Sequence, residues 1–224
     1  MTDHSFEILK DQVQIAALAF MAAMYALKIW VLMKKNPIND RTPNHGDPNS
    51  GVRYSFATIA MPWDMECYRK RPLKYIEFAV FHIGIAVAIT ATIIIPYWPH
   101  IMVAKGIMVA SQVVIALAFL TGVSRLARRL ASPVMRMFSN PDDYFSIILL
   151  NAYLLSAFFA IPNSDKNHWT VVVFFILTTF FLVYVPFSKI SHYLLWPFNR
   201  YYIGKHFGKR GVYPKCSGSL SPSK

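Results

Sequence analysis

Five long apolar runs separated by polar stretches set the architecture this chain predicts. The first falls in a helix expected from about Phe6 to Met33, with its apolar part following Val13. The second is expected from Leu73 to Ile95, and Pro96, Trp98 and Pro99 mark its end. The third is expected from Val103 to Ser124. The fourth opens on Asn140-Pro141-Asp142-Asp143, a capping residue, a proline suited to the first turn and two acids that complement the helix dipole, and it runs to Ile161. The fifth starts near His168 and is expected to reach Trp196, kinked at Pro186. A span of about twenty apolar residues crosses a hydrocarbon core ~30 Å thick, and each run meets that length. The prediction is therefore an all-α integral membrane bundle of five transmembrane helices.

The connecting segments are polar. Residues 36–72 are rich in Pro, Asn, Asp and Gly, and their PNHGDPNSG stretch reads as turns. The following YSFATIAMPWDMECYRKR reads as partly interfacial. RLARRLASPVMRMF, after the third span, is basic and amphipathic, and Asn163–Asn167 form a short turn. From Pro197 the chain is basic and aromatic, then Ser/Gly-rich and frayed. The division expected is a transmembrane domain over 1–200 and a basic tail over 201–224.

Composition agrees: 55% of the 224 residues are hydrophobic, above the usual 45–50% or so of soluble domains. The net charge of +12 raises the question of nucleic acid, but the placement of the charges answers it differently. Nineteen of the 23 lysines and arginines are assigned to one side: eight from Lys34 to Lys74, four from Arg125 to Arg136 and seven from Lys189 onward. Lys10, Lys105 and Lys166 lie on the other side, and Lys28 lies inside the first span, where it is expected to snorkel. By the positive-inside rule the rich side is cytoplasmic, which puts the N-terminus outside and the C-terminus in the cytoplasm. The charge is a topology signal with an attraction for anionic lipid, and it calls for no nucleic acid. Cys67 and Cys216 then sit in the reducing compartment, so no disulfide is expected. The first apolar run lacks a basic leader and is read as retained.

Ionisable residues within spans are functional candidates. His82 lies eight residues after Lys74, and His192 lies eight residues before Arg200. Eight helical residues rise ~12 Å, so the two imidazoles are expected at similar depth on different helices. Two opposed imidazoles are what a bis-histidine haem b requires; the bland alternative is a pair of hydrogen-bonded interfacial histidines. Gly84 and Ala86 are expected to leave room for a macrocycle. Arg125, Arg128 and Arg129 stand where propionates would point. His100 and His168 flank outer loops, and His4, His45 and His206 lie outside the spans. Glu77 stands at a membrane entry, while Asn151 and Tyr184 are expected to hydrogen-bond between helices. No GxGxxG, Walker A, GxSxG or HExxH motif occurs.

FHIG at Phe81–Gly84 and PFSKISH at Pro186–His192 resemble the gamma subunit of respiratory nitrate reductase. The likeness extends to related membrane cytochromes b of the sulfite-reductase-linked and high-molecular-mass cytochrome c complexes of sulfate reducers. It runs from the second span onward and implies the same five-helix, N-out topology. It also implies that His82 and His192 are the axial ligands of a cytoplasm-proximal haem iron. The second haem of that family needs ligands where this chain has Thr92 and Phe174, so one haem b is expected. The family's quinol site would map to His100 and Lys105. The expected role is an electron-transfer subunit, not catalytic alone, of a quinone-linked oxidoreductase complex in a bacterial or archaeal cytoplasmic membrane. Its partners would be a quinone, membrane lipid, a cytoplasmic iron–sulfur protein docked on the basic loops and tail, other membrane subunits and an extracytoplasmic multihaem cytochrome c. The alternative is a cofactor-free membrane anchor; a small transporter is disfavoured because the midplane is almost wholly apolar.

Overall fold

The computed structural model describes residues 3–35 and 40–214. Cys216 and the Ser/Gly-rich end lie outside the described residues. Among those described, every regular element is helical. Five helices are long and apolar enough to cross a membrane: α1 Asp3–Lys34, α3 Pro72–Tyr97, α4 Lys105–Ala131, and the spans Pro141–Asn163 and Trp169–Phe187. The last two contain α5, Pro141–Ala160, and α6, Trp169–Tyr184. Two further helices are α2, Pro48–Ala57, and α7, His192–Lys209.

The chain divides into two compact units. The first comprises Met1–Ile29 and Ile76–Ser191, and the second Trp30–Tyr75 and His192–Lys224.

In the first unit small residues set the helix spacing, because lipid tails compete with apolar side chains and close packing must supply the association. A methyl group on Gly84 would collide with the Ala118 side chain of α4. One turn on, Gly122 abuts the Asn151 carboxamide of α5. Asn151 Nδ2 donates to Ile147 O of its own helix at 2.7 Å, so its contact across helices is packing, not the hydrogen bond expected. Ile95, Ile115, Leu154, Val171, Phe174 and Phe175 are fully buried. Tyr153 stacks on Phe174 with ring centroids 5.4 Å apart and donates to Ala88 O at 3.3 Å.

Helix α1 is tied to the fifth span at two levels. Leu9–Val13 is a π-helical turn. The following Gln14 directs Nε2 to Leu9 O at 3.2 Å, Phe175 O at 3.0 Å and Thr179 Oγ1 at 2.7 Å. Lower down, Lys28 Nζ donates to Pro186 O. The snorkelling expected of Lys28 is thus replaced by a bond within the unit. Its physical reason is the end of α6 at Tyr184, which leaves carbonyls without helical partners at the negative end of the dipole. Residues 185–187 and 189–191 form two 3₁₀ turns. The fifth span therefore breaks at Pro186 instead of kinking and continuing, and His192 starts a new helix.

The second unit corrects the reading of PNHGDPNSG, residues 43–51, as turns. Asp47 caps α2, accepting from Asn49 N at 3.0 Å and Ser50 N at 2.9 Å, with Pro48 in the first turn. Helix α2 crosses α7 where both backbones are bare. A Cβ on Gly204 would stand 2.6 Å from Val52 Cα and 2.8 Å from Gly51 O. A Cβ on Gly208 would stand 2.6 Å from Asp47 O. The segment before α2 closes the far end of α7. His45 N and Gly46 N both donate to Lys209 O, at 2.8 and 3.1 Å, and Lys209 Nζ donates to Asp40 O at 2.7 Å. The start of the expected tail is thus packed helix.

Candidate functional site

Histidine 82 sits on α3 with Pro72 at the helix start and an unbroken apolar run after it, so its backbone is held by the helix ladder. Its side chain is exposed on the first unit. The Nδ1 atom lies 2.8 Å from Phe78 O. A carbonyl only accepts, so Nδ1 carries a proton, and in the neutral ring the lone pair is then on Nε2. The Phe78 ring lies 4.1 Å from the imidazole, and Phe81 stands edge-on at 6.0 Å. The Arg125 guanidinium lies over the Phe81 ring at 4.8 Å. The structure thus brings together His82, Phe78, Phe81 and Arg125.

The other two arginines are engaged with carboxylates of the chain. Arg128 Nη1 donates to both oxygens of Glu77, at 2.8 and 2.6 Å, and Ser124 approaches the same carboxylate at 3.5 Å. Arg129 Nη1 donates to Ser139 Oγ at 3.0 Å and pairs with Asp143 at 3.3 Å. Asp143 also receives Lys189 Nζ at 3.0 Å and completes a capping box with Asn140. Tyr184 donates to Asp142 at 2.7 Å, an inter-helix bond as expected. This end of the unit is a closed ionic layer joining α3, α4, α5 and the 3₁₀ turns.

Histidine 192 is the first residue of α7 and belongs to the second unit, exposed beside Tyr193 with ring centroids 6.4 Å apart. At the opposite end of the first unit, His100 is exposed in the short helix Pro99–Val103, and Lys105 is the exposed first residue of α4. His168 caps α6, its Nδ1 accepting from Thr170 N at 3.4 Å. The same end holds a pair that sequence reasoning missed: Tyr97 donates to Asp11 at 3.0 Å. Eighty-six residues separate the two, so no local pattern announces them.

Comparison with family models, curated proteins and solved structures finds no match to this chain. Fit to a haem therefore rests on donor chemistry alone. On α3 the donor fits: a metal-binding histidine usually donates its other ring N–H to a carbonyl or carboxylate, as His82 does to Phe78. The space expected beside Gly84 does not contribute, because Ala118 fills it. Arg128 and Arg129 already hold Glu77 and Asp143.

Proposed function

We propose that this chain is a haem b electron-transfer subunit of a membrane respiratory complex. It passes electrons between a menaquinone-type quinone and a cytoplasmic iron–sulfur protein. The observation that carries this reading is the His82 Nδ1 bond to Phe78 O, which orients Nε2 as a metal ligand on a transmembrane helix. By the resemblance, His192 of the second unit would be the second ligand. In this reading the N-terminus is outside and the basic end cytoplasmic, in a bacterial or archaeal cytoplasmic membrane. When bound, the haem supplies one-electron redox chemistry. The residues of the chain hold and tune it: Phe78 fixes the imidazole tautomer, Phe81 packs beside the ring, and Arg125 places a positive charge on that aromatic side. His100 and Lys105 are the candidates for quinone contact, and the Glu77–Arg128 and Arg129–Asp143 pairs keep α3, α4 and α5 in register.

The second reading is a cofactor-free anchor for redox partners. The closed Gly84–Ala118 contact and the internal pairing of Arg128 and Arg129 favour it. A reduced-minus-oxidised spectrum with a pyridine haemochrome count on the purified chain separates the two. One haem b per chain, lost in His82→Ala and in His192→Ala, is the expected result. Well-folded protein without haem sinks the cytochrome reading and leaves the anchor.

A further inference from the structure

In the second unit Asp40, Asp47 and Asp64 each engage groups of the unit itself, and many of its cations are exposed. Asp47 accepts the first N–H groups of α2. Asp40 accepts from Thr42 N at 3.0 Å and meets His206 at 3.1 Å and Arg210 at 3.3 Å. Asp64 accepts from the Tyr54 hydroxyl. Each of these carboxylates thus faces a partner within the unit. Arg41, Arg53, Arg71, Lys74, Lys205 and Arg210 are exposed. These carboxylates are thus occupied within the unit while the cations reach its surface.

Large aromatic side chains stand among these cations. Trp63 is 65% exposed and Trp30 54%. Tyr193, Tyr201, Tyr202 and Phe207 are exposed along α7. Lys34 lies 3.7 Å from the Trp30 ring centroid and Lys205 5.8 Å from that of Tyr201. An acidic protein would account for the cations and could cover some aromatic rings. The interfacial zone of a bilayer takes both, with tryptophan and tyrosine at headgroup depth and lysine and arginine on phosphates. Connectivity points the same way. The unit begins at Trp30 inside the helix of the first span and rejoins the chain at His192, directly after the fifth.

We propose that the glycine-crossed helix pair α2–α7, with the segments flanking α2, is a headgroup-binding module for anionic phospholipid. The sequence reading gave the basic segments both an iron–sulfur partner and an attraction for anionic lipid; the exposed aromatic residues favour lipid for this unit. The inference goes beyond the haem reading and stands or falls separately from it.

The test uses the full chain reconstituted in phosphatidylcholine vesicles containing about one-third phosphatidylglycerol. Spin-labelled phosphatidylglycerol and phosphatidylcholine report their relative association with the protein. Phosphatidylglycerol is expected to be preferred, and the preference to fall at high salt. A juxtamembrane cation contributes a roughly five-fold factor, so Arg53→Gln with Lys205→Gln is expected to cut it roughly thirty-fold. Arg53→Lys with Lys205→Arg is expected to retain it, which separates loss of charge from loss of fold. Equal association of the two lipids, or a preference indifferent to both pairs of substitutions, overturns the proposal. So does poly-glutamate binding that persists in phosphatidylglycerol vesicles and is lost in the glutamine variant, which would give the surface to an acidic protein.

Discussion

The crossing of α2 and α7 makes a prediction with a sign. In Gly204→Ala the new methyl group would lie 2.6 Å from Val52 Cα, 2.8 Å from Gly51 O and 2.9 Å from Ser55 Cβ. Carbon atoms pack best at about 3.5–4.0 Å, so the helices must part by roughly 1 Å. Two of the three neighbours are backbone atoms that no rotamer change can remove. Overpacking of this kind costs about 1–3 kcal/mol. Alanine returns about 1 kcal/mol of helix propensity, so from a central cost of about 2 kcal/mol a net loss of ~1 kcal/mol remains. Amide exchange across His192–Lys209 in the reconstituted chain reads this as a roughly five-fold faster opening. Gly106→Ala is the control, because nothing lies within 4 Å of its added Cβ. It should leave α7 unchanged and slow exchange slightly in α4. Gly51→Ala combined with Gly204→Ala should cost less than the sum, since the first substitution already separates the helices. Full protection of α7 in Gly204→Ala would refute the crossing, and so would equal loosening by Gly106→Ala.

Other outcomes follow from single contacts. Lys28→Met removes a charge-assisted bond of ~1.5–3 kcal/mol from Pro186 O but also lifts an intramembrane charge costing up to about 3 kcal/mol. The melting temperature should therefore barely move while exchange at residues 187–191 accelerates; a large drop in melting temperature with unchanged local exchange would contradict this. Asp40 is held well below the ordinary carboxylate value of 3.8, first by the Thr42 hydroxyl, then by Thr42 N–H, His206 and Arg210. Because its folded pKa is depressed, its contribution is fully present above that ordinary value and is lost as pH falls below it. Protection of the last turn of α7 should be flat from neutral pH to about pH 4 and decline below, and Asp40→Asn should abolish that decline.

The membrane helices were legible because each announces itself locally, by twenty or so apolar residues between polar breaks. Asn140-Pro141-Asp142-Asp143 read correctly as a helix start because its capping box closes within four residues. The same grammar stands at Asp47-Pro48, but the glycines around it pointed to turns. Those glycines serve a crossing with α7, and Gly51 and Gly204 are too far apart in sequence for any periodicity to connect them. At Pro186 a kink was the local expectation; the break there leaves a carbonyl that is met by Lys28, a residue of another helix. The candidate site divides along the same line. His82 and its carbonyl partner Phe78 lie one turn apart on one helix, so that contact is local in sequence. Gly84 looked vacant only because the sequence does not show Ala118 arriving from α4.

These tertiary contacts also refine which arginine matters to the haem reading. The sequence offered Arg125, Arg128 and Arg129 as equivalents at one end of α4. In the folded unit Arg128 holds Glu77 and Arg129 holds Asp143, so replacing either breaks an ion pair between helices and confounds stability with redox effects. Arg125 lies over Phe81, whose ring also flanks His82. A fixed positive charge there disfavours the more positive, oxidised iron, so Arg125→Gln should lower the haem midpoint potential while leaving haem content intact. Arg128→Gln should instead loosen the α3–α4 contact, with faster exchange near Glu77 and Ser124. An unmoved potential in Arg125→Gln, in protein that retains its haem, would place the cofactor away from this side of α3 and break the link between Phe81 and the haem.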